Sequence, residues 1–121
     1  MARRVIKTNP NLMELIANLK DKSHNEEVAI WRDVAKRLER STRRQAEVNL
    51  SDINRVSNKD QTVLVPGKVL SNGRLDHKVS IVALNFSKAA QEKIEQSGGE
   101  CISISEIIEK NPKGNNIKIV E

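Results

Sequence analysis

The chain has 121 residues, 21 of them Lys or Arg and 16 Asp or Glu, for a formal net charge of +5. That length suits one domain burying roughly two-thirds of its unfolded surface, and a single Cys with no Cys/His cluster excludes a disulfide framework and a zinc-built fold. No apolar run nears the roughly twenty residues of a membrane span, and no apolar h-region follows the basic N-terminus, so the expectation is a cytoplasmic chain without membrane contact.

The charge is unevenly placed. Residues 1–44 carry eleven basic and six acidic side chains, whereas residues 45–121 carry ten of each, so the whole excess lies in the first third. This distribution points to a polyanion footprint. With one Trp, one Phe and no Tyr, a surface built on stacking exposed bases against aromatic rings is excluded.

Residues 1–8, with Arg3, Arg4 and Lys7, read either as a frayed terminus or as a basic arm that orders against nucleic acid. Asn9-Pro10 predicts a helix start, and Leu12, Leu15, Ile16 and Leu19 form one apolar face behind it. A polar break is expected over 21–25. A second helix follows, capped by Asn25, with Val28, Trp31, Ala35 and Leu38 buried and Lys36, Arg37 and Arg40 opposite. Asp33 lies one turn before Arg37 and is placed to pair with it. The next stretch, Arg40-Ser-Thr-Arg-Arg44, contains no acid. Its guanidinium forks match phosphate oxygens, and Ser41 and Thr42 add short donors. Arg40, Thr42, Arg43 and Arg44 are therefore the strongest site signal.

Val48, Leu50, Ile53 and Val56 predict a third helix, capped by Asn49 or Ser51. Two β-favouring runs follow, Thr62–Val65 with Val69–Leu70, and Val79–Leu84. Ser71-Asn72-Gly73 between them predicts a tight reversal and a hairpin, and Pro66-Gly67 predicts a bulge in the first run. Lys68, Arg74, His77 and Lys78 are left on this hairpin as a second basic contact. Ser87 caps a helix carrying Ala89, Ala90 and Ile94, stopped at Gly98-Gly99. A strand at Cys101–Ile104, a helix opened by Ser103 with Glu106, and a final strand at Ile117–Val120 complete an α/β order.

Catalytic signals are missing. His24 and His77 lack Cys or carboxylate partners at metal or triad spacing, Ser87 is not in a nucleophile elbow, and the glycines form no phosphate loop. No enzyme activity, cofactor, metal or small-molecule substrate is expected.

The segments VPGKVLSNGRL (65–75), VALNFSKAAQEKIEQSGGE (82–100) and RSTRRQAEVNLSDI (40–53), with KTNPNLMELIANLK (7–20) and IIEKNPKGNNIKIVE (107–121), resemble the archaeal and eukaryotic large-subunit ribosomal protein eighteen-e family, related to bacterial large-subunit protein fifteen. The likeness covers nearly the whole chain, and its short length resembles the archaeal members. It implies an irregular β-β-α superhelical core beside the three N-terminal helices. It also implies a structural role binding large-subunit ribosomal RNA and neighbouring ribosomal proteins. The expected organisation is a basic arm (1–8) and one domain (9–121), helical over 9–58 and β/α over 59–121. Two other readings stand beside it: a protein–protein adaptor with a basic face, and a small DNA-binding module using the second helix.

Overall fold

The computed structural model describes residues 10–39 and 46–121. In chain order the elements are α1 (Pro10–Glu26), α2 (Ile30–Leu38), β1 (Ala46–Asn49), α3 (Leu50–Val56), β2 (Thr62–Leu70), β3 (Ser80–Phe86), α4 (Lys88–Gln96), β4 (Glu100–Ser103), α5 (Ile104–Lys110) and β5 (Ile117–Ile119). Asn9, expected to cap α1, lies outside the described residues.

The strands form a five-stranded sheet in the order β1-β2-β3-β4, with β5 also on β2, and every pairing is parallel. A parallel sheet is apolar on both faces, and Val63-Leu64-Val65 and Ile81-Val82-Ala83 are fully or almost fully buried. Leu64, Val82 and Ile102 pack with Leu19 of α1, Trp31 and Leu38 of α2, and Ile104 of α5. Val63, Val65, Val69, Ile81 and Ala83 pack on the other side with Leu50 and Ile53 of α3 and Ala90 and Ile94 of α4. Helices thus cover both faces.

The hairpin expectation is overturned. Thr62 pairs with Ser80 and Leu64 with Val82, so the chain must run back the full length of β2 before starting β3. The eight steps from Thr62 to Leu70 span about 26 Å. The nine residues 71–79 reach at most about 30 Å when extended, whereas nine helical residues would cover only about 14 Å. The connection is therefore a largely extended return, bent at 72–73 and again at 76–77, rather than the second strand of a hairpin, and of Asn72 and Gly73 only Gly73 has positive φ (+91°). Unbroken apolar triplets are the signal for a two-sided parallel sheet, and they outweigh the local turn chemistry.

The bulge is present. Val65 faces Ala83 but Lys68 faces Asn85, so β2 carries one extra residue at buried Pro66-Gly67. Two other expectations need correction. α1 continues through the expected break at 21–25 to Glu26, and α2 begins at Ile30 without a side-chain cap. Helix α1 ends when Glu27 takes a left-handed conformation (φ +56°), with the Val28 N–H bonded to the Ser23 carbonyl at 3.1 Å. This is a glycine-type stop made without glycine, so no sequence signal marked it. Val48 lies in β1 rather than in a helix, because the parallel partner that makes it a strand, Val69, comes later in the chain. Ser87 and Ser103 do cap their helices, accepting the N–H of Ala90 and of Glu106, each at 3.2 Å.

Candidate nucleic-acid interface

The return segment is fastened along α3. The Ser51 N–H donates to the Asn72 carbonyl (3.0 Å). One turn on, the Asp76 N–H donates to Asn54 Oδ1 (2.8 Å) and Asn54 Nδ2 donates back to Asp76 Oδ2 (3.1 Å). Another turn on, Ser57 Oγ and His77 Nε2 share a bond of 2.9 Å, and the Asp60 N–H donates to the Lys78 carbonyl (2.7 Å). From the other side Lys93 Nζ donates to the carbonyls of Ser71 (2.8 Å) and Gly73 (3.1 Å). Gly73 lies so close to Ser51 that a Cβ there would collide with it. Sequence reasoning missed Asn54 and Lys93, since nothing local announces a bond spanning some twenty positions.

This fastening decides what each expected basic residue can do. Arg74 is held out, its side chain 86% exposed, with a guanidinium–carboxylate contact of 3.3 Å to Asp76, itself 61% exposed. Such a pair contributes little and yields readily to a better anion. Lys78 is exposed while its backbone is tied down. His77 is half-buried, and its Nε2 is taken by Ser57. That bond ties the return segment to the end of α3.

Lys68 is exposed on β2, in register with Glu47 of β1 and Asn85 of β3. Its neighbour Val69 is buried on the α3/α4 side, so alternation turns Lys68 to the α1/α2 side. Lys36 is exposed on α2, and neither Lys36 nor Lys68 has an ion pair among the described residues. Arg37 is occupied: Asp33 sits 3.1 Å from Nε and Glu121 bonds Nη1. Burial pulls its pKa down, but the bonds and charges of Asp33 and Glu121 outweigh that and raise it.

Arg3, Arg4, Lys7, Arg40, Thr42, Arg43 and Arg44 lie outside the described residues. The ends of the 40–45 segment are placed, however. Glu39 closes α2, and Ala46 opens β1 opposite Gly67. Lys36 is therefore one turn before the arginine-rich segment, and Lys68 sits in the strand beside the point where it ends. Among the described residues no group of His, Cys, Asp and Glu could hold a metal ion, and no helix is long and apolar enough to cross a membrane.

Fold and surface together define a basic α/β protein whose two-sided core holds lysines and arginines out on strand, helix and return segment. The sequence pattern of the family described as "Ribosomal protein 60S L18 and 50S L18e" matches residues 3–121. The chain belongs to that family. It is 60% identical over 121 residues to the large ribosomal subunit protein eL18 of Methanothermobacter thermautotrophicus, covering 100% of both chains. It is 52% identical to the protein of that name from Methanosphaerula palustris and 50% to that from Methanoregula boonei, over 99% of each chain.

Proposed function

We propose that this protein is a structural component of the archaeal large ribosomal subunit, acting in the cytoplasm by binding ribosomal RNA and neighbouring ribosomal proteins, with no reaction of its own. In this reading residues 9–121 form one domain and residues 1–8 a basic arm. The observation that carries the RNA contact is that Lys36 and Lys68, both exposed, stand at the two ends of the Arg40–Arg44 segment. One footprint would then comprise Lys36, Arg40, Thr42, Arg43, Arg44 and Lys68. Arg74 and Lys78 on the return segment form a second, and Arg3, Arg4 and Lys7 thread between RNA segments.

The mechanism is charge neutralisation on a preformed scaffold. An A-form groove is recognised mainly through phosphates and 2′-hydroxyls, which point charges and guanidinium forks suit. Six phosphate contacts lower affinity on the order of a thousandfold between 50 and 200 mM salt. The test is binding to protein-free large-subunit RNA across that salt range, with Arg40→Ala, Arg43→Ala and Arg44→Ala combined. A steep slope that flattens in the variant is expected. A salt-independent isotherm, or a steep slope that the triple variant leaves unchanged, would refute the reading.

A further inference from the structure

We propose that the cleft between the C-terminal half of α1 and the outer face of α2 seats one unpaired nucleotide of the bound RNA, an inference that rests on the RNA-binding reading above. The cleft holds about 990 Å³, at the upper end of the range for small-molecule pockets. Its shape is set by a firmly bonded turn. Ser23 accepts the Val28 N–H through its carbonyl, and its hydroxyl donates to the Val28 carbonyl.

The lining has three kinds of chemistry. Arg32 and Lys36, four positions apart on α2, are exposed and lack an ion pair among the described residues. They suit a phosphate. Val28 and Ala29 give an apolar patch that suits the face of a base. Asn25 and Glu27, exposed at the turn, offer an amide and a carboxylate for a base edge or a 2′-hydroxyl. A bare phosphate would be repelled by Glu27, and an acidic peptide would leave the apolar patch unused. A nucleotide uses all three. Lys20 and Glu39, also lining the cleft, already pair at 2.9 Å in solvent. Glu39, at the edge of the cleft, directly precedes the arginine-rich segment in the chain.

The experiment places a photo-crosslinking amino acid at Ala29 and, separately, at Asn85, the β3 neighbour of Lys68, each bound to protein-free large-subunit RNA. The expected result is a crosslink from position 29 to an unpaired nucleotide. Arg32→Ala with Lys36→Ala should reduce its yield roughly tenfold and lower the salt slope by about 1–2. Glu27→Gln should weaken binding. A crosslink from position 85 with none from 29, a crosslink only to paired nucleotides, or tighter binding by Glu27→Gln would overturn the nucleotide site and leave the RNA-binding reading intact. Absence of RNA from both positions would sink both.

Discussion

The indole N–H of Trp31 donates to the carbonyl of Pro112 at 2.7 Å, joining α2 to the segment that follows α5. Trp31 is fully buried, so this bond satisfies a polar atom that water cannot reach. Nearby, Lys113 Nζ lies 3.1 Å from Glu26, a Cβ on Gly114 would run into Ile30, and Arg37 bonds Glu121. The last ten residues thus clasp the helix that leads into the arginine-rich segment.

Trp31→Phe keeps the ring in the core and removes the donor. Leaving the Pro112 carbonyl without its partner should cost about 1–3 kcal/mol, read as a lower urea midpoint by far-UV circular dichroism at unchanged m value. An unchanged midpoint would mean that water already serves that carbonyl.

Gly73 and Gly98 separate two kinds of glycine requirement. Both have positive φ, +91° and +87°, but an added Cβ meets Ser51 at Gly73 and nothing within 4 Å at Gly98. Gly98→Ala should cost about 1 kcal/mol from backbone strain alone. Gly73→Ala adds a collision with α3 and should cost at least twice that, with faster amide exchange at Asp76 and Lys78. Equal losses in chemical denaturation would contradict the packing of the return segment on α3.

Asn54→Ala removes both bonds to Asp76. These are exposed groups, so the global loss should stay near 0.5–1.5 kcal/mol. The local effect is larger: amide exchange at Asp76 should rise several-fold while that of β3 is unchanged. Uniform acceleration across the sheet would show that the return segment does not open by itself.

Cys101 is half-buried, and burial, with Glu95 adding, pushes its thiol from 9.0 to about 11. The folded state therefore holds the proton more tightly than the unfolded one. This group's contribution to stability is full below pH 9 and is lost as pH rises through about 11. Alkylation by iodoacetamide at pH 8 should be slow in the native protein and rise at least tenfold in denaturant. Rapid native labelling would place the thiol in solvent.

Much of the architecture could be read from local chemistry. The hydroxyls of Ser87 and Ser103 mark helix starts because a cap bonds a backbone N–H within the same turn. Gly98 marks a helix end because the left-handed conformation there favours a residue without a Cβ. Trp31, Ala35 and Leu38 read as one buried face because helical periodicity is a property of adjacent turns. The pairing of Asp33 with Arg37 followed from their one-turn spacing, and the family was legible because several motifs stand in order along nearly the whole chain.

What the tertiary structure decided is everything that depends on a distant partner. Ser71-Asn72-Gly73 has the chemistry of a hairpin turn, yet Lys93 grips that turn, Asn54 and Ser57 hold the chain beyond it against α3, and β2 and β3 lie parallel. Val48 is a strand residue only because Val69 stands beside it. His77, chosen for its basic neighbours, also shares a bond through Nε2 with Ser57. Composition and spacing specify which groups are present and what each favours within a turn or two. Which cations remain exposed and unpaired is settled only when strands and helices far apart in sequence come into contact, because burial and hydrogen bonding are properties of the packed chain.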